Sequence, residues 1–424
     1  MRDASIAASG TLLPWVSQKA SNRFAWVQWV VTGNLPLFFC GSNETRQYTK
    51  LNPISMPDDF GFIIDGWTHG TEHYLAVYGC YETTDGRPKH PLLSLSPVMD
   101  EPDDHLNADG HMMVISRFLP FFGKSLDDSR FLVGDNCAVN KRLANLLRVP
   151  LIGCASLRLN FAVREYLEPY ESSLEEVQWL MRKLRTVKQA AQLRTKTPLA
   201  PVLRQDTRLP STFSMLERYF RLRELFSADE EDIGDFLPSR ATHRKLATLL
   251  ASLRDVKSVS KRLQADGLAL LDVRDLFDAL IEIRPAFANY LAPDADIIHS
   301  VAFEKATVKV LAGQAAMLTE EEATALGPFK RESTNVAAAA PSSSSKEGFA
   351  GRVLKRRKVS AEHASYILLH AIPPSSNIME RLFSIARAVL RHEHQRLAPM
   401  MLEMIMFLKM NSSYYDVATV EQCV

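Results

Sequence analysis

The sequence predicts an α/β fold: a mixed sheet with helices on its faces, interrupted by a large all-helical insertion domain. Three observations predict it. Short β-branched and aromatic runs recur between residues 60 and 154 with turn residues between them. The last two of these runs flank a helical pattern, which is a strand–helix–strand order. From Leu157 to about Met317 the apolar spacing is that of helices alone.

Phe60 to Ile64 has the length and composition of a buried strand, and Gly66 reads as its stop. His73 to Tyr81 reads as its hairpin partner across a turn at Thr68 to Glu72, and His90 to Val98 as a third strand. Asp103 to Phe122 reads as an N-capped helix. Arg130 to Asp135 is a second buried run, followed by a helix from about Val139 to Leu147 and a short strand, Pro150 to Cys154. Strands followed by strand–helix–strand give an α/β core of the ribonuclease-H type.

Helical spacing then marks Leu174 to Leu193, Phe213 to Phe226, Ala241 to Leu253, Leu268 to Ile283 and Ile297 to Leu311. STNVAAAAPSSSSKEG, within Arg331 to Gly351, is small, polar and aperiodic, the composition of a disordered linker. Three helices are expected beyond it, at Ala361 to Leu369, Asn377 to Leu390 and Pro399 to Lys409. The expected domains are an aromatic helical segment over 1–57, the first part of the core over 58–165 and the helical insertion over 166–330. A linker over 331–360 and a C-terminal region over 361–424 follow.

The 424 residues carry 50 Lys and Arg against 49 Asp and Glu, so net charge names no class of partner, and any basic surface has to be local. No apolar run reaches the roughly 18 residues of a membrane span, and the N-terminus lacks a signal pattern, so no membrane partner is expected. The five cysteines suit reduced thiols, and no C-x-x-C offers a structural zinc site.

Two of the strands deliver an aspartate, Asp65 into Gly66-Trp67 and Asp135 into Asn136-Cys137. Each reads either as a turn-forming cap at a strand end or as a metal-binding carboxylate. Side by side, two carboxylates repel, and a divalent cation removes the conflict. Oxygen donors suit magnesium, which can clamp the oxygens of a phosphoryl transfer. Lys355, Arg356, Arg357 and Lys358 form a basic tetrad that reads as a nuclear localisation signal, a phosphate contact or a solvated linker end.

Four segments, in order, resemble hAT-superfamily DNA transposases: FGFIIDGWTHGTEHYLAVYGCY, FLVGDNCAVNKRLANLLRVPLIGCASLRLNFAV, RQDTRLPSTFSMLERYF and PPSSNIMERLFSIARAVLRHEHQRLAPMMLEMIMFLKMN. The resemblance implies a ribonuclease-H-like core that the helical region interrupts as an insertion and the C-terminal region completes, a triad of magnesium-binding acids at Asp65, Asp135 and Glu380, and a C-terminal region through which copies dimerise. It implies DNA as partner, with Arg208 as a contact, and the nucleus as the place of action; the tetrad Lys355 to Lys358 is expected to add phosphate contacts through its own charge. The sequence departs from the family in four respects, the first being that Asn52 to Pro57 runs almost directly into the first strand, where relatives carry another helical stretch. Leu157 stands where the family has His, Leu209 where it has the Trp that stacks on a displaced base, and the zinc-binding BED finger is absent. Loss of an aromatic face removes stacking worth about 1–3 kcal/mol per base. The expectation is a degenerate or domesticated transposase-like protein that binds DNA and dimerises with impaired catalysis. The alternative is an active two-metal transposase, an endonuclease and strand transferase.

Overall fold

The computed structural model describes residues 56–83, 85–99, 105–205, 209–226, 232–330, 366–390, 397 and 399–411. The helical segment expected before residue 56 and the linker with its basic tetrad lie outside them. The chain forms two compact units. One holds residues 1–132, 142–149 and 378–424, the other residues 133–141 and 150–377.

In the first unit, β1 (Phe60–His69) and β2 (Glu72–Glu82) form an antiparallel hairpin in register from Gly61 opposite Cys80 to His69 opposite Glu72. Gly70, the first residue of the two-residue loop, has φ of 61°, the left-handed conformation this tight turn needs. The strand does not stop at Gly66. Pairing with β2 carries it four residues past Asp65, which therefore sits within the strand opposite Ala76. Gly66 is needed for space: a Cβ there would lie 2.9 Å from the His73 ring. β3 (Pro88–Lys89) and β4 (Leu92–Pro97) both pair with β2, β4 across a bulge at Val77 and Tyr78.

The strand order is β3-β2-β1-β5-β6, with β4 also on β2. β5 (Ser129–Gly134) is shared between the two units, and β6 (Leu151–Gly153) belongs to the second. The sheet is mixed, and β1 is central in it. Phe60, Phe62, Ile63, Ile64, Leu75 and Val77 are buried along the hairpin, and a Cβ at Gly61 would collide with the Phe131 ring. That close approach lets β5 pack against β1.

Helix α1 (Ala108–Phe118) starts later than its acidic flank suggested, because Asn107 is the cap: its Oδ1 accepts from the Gly110 N–H at 2.8 Å. α2 (Ala138–Leu147) joins β5 to β6.

The second unit continues with α3 (Ala155–Leu167), α4 (Glu171–Leu184), α5 (Val187–Lys196), α6 (Leu209–Arg223), α7 (Arg240–Leu263), α8 (Leu270–Ile283), the one-turn α9 (Ala288–Leu291), α10 (Val301–Leu311) and α11 (Glu320–Ala325). One expected helix, Leu174 to Leu193, is two, because the backbone turns at Arg185 and Thr186. Another ends ten residues further on than expected: Val256, Val259 and Leu263 keep the apolar stripe of α7 alive through a polar stretch. These side chains, with Leu216, Tyr219 and Phe277, belong to one continuous core of the unit.

Tyr366 to Leu369 are not helical, against expectation. Tyr366 bridges Lys330, the Ile367 N–H donates to the Phe329 carbonyl at 2.8 Å, and Leu368 has φ of 64°. The last two helices are α12 (Asn377–Val389) and α13 (Pro399–Met410). In the first unit, α13 is fastened to β4. The Glu403 carboxylate accepts from the Ser94 and Ser96 hydroxyls at 2.8 Å each, and Asn411 bonds both the N–H and the carbonyl of Leu92. Among the described residues no helix is long and apolar enough to cross a membrane.

Candidate functional site

Side chains alternate along a strand, so Ile63, Asp65, Trp67 and His69 share one face of β1. Their partners on β2 across that face are Tyr78, Ala76, Tyr74 and Glu72. Asp65 is half-buried, between the Ile63–Tyr78 and Trp67–Tyr74 pairs and opposite the smallest residue of the row.

Helix α12 lies on this same face. Met379, Leu382, Phe383 and Ala386 are buried at helical spacing, the apolar stripe of an amphipathic helix. Trp67 stacks on Phe383 at 5.5 Å between centroids and 22°, and on Tyr74 at 5.6 Å and 29°. The Arg387 guanidinium sits 6.0 Å from the Trp67 ring centre. Burial pushes the Tyr78 phenol well above its ordinary range, and the charge of Arg381 on α12 opposes that rise. α12 thus meets β1 at Trp67, two residues beyond Asp65 on the same face. Glu380 is exposed in the first turn of this helix, three residues before Phe383, where a carboxylate also suits the helix dipole. Trp67 lies on the central strand β1 and packs on Tyr74 and Phe383.

Asp135 belongs to the second unit, immediately after β5. Its Oδ1 accepts from the Asn140 amide at 2.5 Å and from the Cys137 N–H at 3.4 Å, and the same amide reaches the Asp135 carbonyl at 3.3 Å. Asn140 supports this loop and is itself buried. Burial, then the hydrogen bond with Asp135, push the Cys137 thiol up, so it does not behave as an activated thiolate.

Leu157 is half-exposed in the first turn of α3, next to the buried Cys154, whose sulfur accepts from the Ser376 N–H at 3.4 Å. Leu209 opens α6. Arg208 and Lys355 to Lys358 lie outside the described residues. Carboxylate oxygens are the donors magnesium prefers. Among the described residues, no group of three or more His, Cys, Asp or Glu side chains is gathered to hold a metal ion.

Sequence reasoning missed the residues that anchor α12 and α13, namely Phe383, Arg387, Glu403 and Asn411. It also passed over Arg158 and Glu304, paired at 3.2 Å deep in the helical unit. A signal existed for the first of these: Arg158 falls on the stripe of Ala155, Leu159 and Ala162, where a charge has to find a partner.

No protein-family model matches the chain, and no curated protein matches it.

Proposed function

We propose that the chain is a hAT-transposase-like protein, degenerate or domesticated, which binds DNA and dimerises in the nucleus and whose catalysis is impaired. The observation that carries this reading is the docking of α12, the Glu380 helix, across the face of β1 that bears Asp65. A triad of acids drawn from distant parts of a chain needs such a helix returning to the first strand. The strand order also favours a ribonuclease-H-like core: a meander of β1, β2 and β4, then β5 and β6 joined through a helix, with β1 central.

The impairment is argued from Leu157 and Leu209. An imidazole can shuttle a proton or hold a phosphate, and an indole can stack on an unpaired base; leucine does neither. Magnesium, where bound by such acids, would polarise phosphoryl oxygens. The chain's own contribution is the positioning of acids by Phe383 and Asn140.

The test joins binding to cleavage in the full chain. Duplex DNA affinity should fall steeply with salt, because phosphate contacts release counterions. Plasmid nicking with magnesium should stay at the background of an Asp65→Ala variant. Robust nicking by the unaltered chain that Asp65→Ala abolishes would establish the active-transposase alternative, and no DNA binding at low salt would remove the nucleic-acid role.

A further inference from the structure

The helical unit holds a cavity of about 280 Å³. Leu270, Val273 and Phe277 of α8, Val308 of α10, and Pro293 and Pro374 make most of its wall. Val273 and Phe277 also belong to the core of the unit, so the cavity opens directly onto packed hydrocarbon.

Four cations border this space, and each is engaged by the protein. Arg158 bonds the Tyr290 carbonyl through Nε at 3.0 Å, the Ala292 carbonyl through Nη2 at 3.1 Å and Glu304 Oε2 through Nη1 at 3.2 Å. Arg274 gives Nη1 to the Leu291 carbonyl at 2.6 Å, and its Nη2 lies 2.7 Å from Asp278 Oδ1. Lys309 holds Glu322 at 2.6 Å and reaches the Met317 carbonyl at 3.2 Å, while Lys305 faces Asp294 at 3.8 Å. Glu304 Oε1 and Arg274 Nη2 have no surface of their own, so neither looks into the cavity. The wall therefore offers the space mostly carbon.

That decides what fits. A water needs two to four polar partners to be held, and this wall has few to give. Water there is poorly ordered, and an apolar group that displaces it gains affinity. An ion would lose its hydration and meet no unpaired counter-charge. Size narrows the class further. A cavity of about 150 Å³ already takes benzene, so a space of about 280 Å³ has room for a second fused ring.

We infer that this cavity binds an uncharged, largely hydrocarbon compound of one or two fused rings, held by contact with the side chains of α8 and α10. The site lies wholly within the helical unit and does not rest on the transposase-like reading.

Naphthalene, and a naphthalenediol with its hydroxyls at opposite ends, test this on the full chain by ligand-observed NMR and titration. The diol has to bring at least one hydroxyl into the carbon-walled space without a partner. Naphthalene should bind saturably, and the diol at least about tenfold more weakly. Val273→Phe, which fills the cavity from its buried wall, should lower naphthalene affinity by at least about tenfold. Should that variant not fold, the two ligands compared on the unaltered chain still decide. No saturable binding of naphthalene up to its solubility limit, equal affinity for the two ligands, or full affinity in the folded variant would overturn the inference.

Discussion

The Trp67 indole and the Phe383 ring stack at 5.5 Å, and this pair fastens α12 to the face of β1 that carries Asp65. Both side chains are buried, at 7% and 6% exposure, so the contact is part of the core as well as of the candidate site. Removing either ring should cost about 3–5 kcal/mol in a urea titration. The double variant Trp67→Ala with Phe383→Ala should show a coupling of about 0.5–1.5 kcal/mol beyond the buried area. Strict additivity would mean that the rings do not hold each other.

Asn411 offers Leu92 an acceptor for its N–H at 2.9 Å and a donor for its carbonyl at 2.7 Å, and is almost fully buried. Asn411→Asp keeps the shape but turns the donor into a second acceptor facing a carbonyl. The expected loss is about 1–3 kcal/mol, with faster amide exchange at Leu92. An unchanged exchange rate there would show that α13 is not held by this amide.

Acid should loosen the hairpin. Burial lowers the His73 pKa from its ordinary 6.5, and the ring nitrogen Nδ1 lies 2.8 Å from the Thr68 hydroxyl. The folded imidazole binds its proton less readily than the unfolded one, so the unfolded state takes up more protons in the window below 6.5. Stability is whole above that value and declines as pH falls through the window. His299 and His370 are lowered in the same direction, so the variant isolates His73. His73→Gln should lose less stability than the unaltered chain between pH values of about 8 and 5.5. Equal losses would place the sensitivity elsewhere.

The sheet was largely legible because β-branched and aromatic runs report burial on their own. Its extent was not. Gly66 has the composition of a stop, yet pairing with Leu75 on β2 carries the strand through it, and only the position of the His73 ring explains why glycine is required. Likewise, α7 continues through polar residues because Val256, Val259 and Leu263 face the core, a fact of packing that composition hides. Glu380 was reached through a resemblance alone. Its helix docks by Phe383 on Trp67, and no local pattern links positions so far apart in the chain.

The Asp135 loop makes a sharper test of what the candidate acids do. Asn140 holds Oδ1 of Asp135 and the carbonyl behind it, so Asn140→Ala should cost about 1–3 kcal/mol and release the carboxylate from its fixed rotamer. If the acids are only relics, DNA binding by this variant should be unchanged once it is measured below its unfolding midpoint. Recovery of chemistry is the complementary arm. Leu157 is half-exposed in the first turn of α3, so Leu157→His introduces an imidazole without opening a core cavity. Combined with Leu209→Trp at the start of α6, it should restore magnesium-dependent nicking of a short duplex supplied at high concentration, and Asp65→Ala should then abolish it. Restored cleavage that survives Asp65→Ala would assign the chemistry to other groups and remove Asp65 from the site.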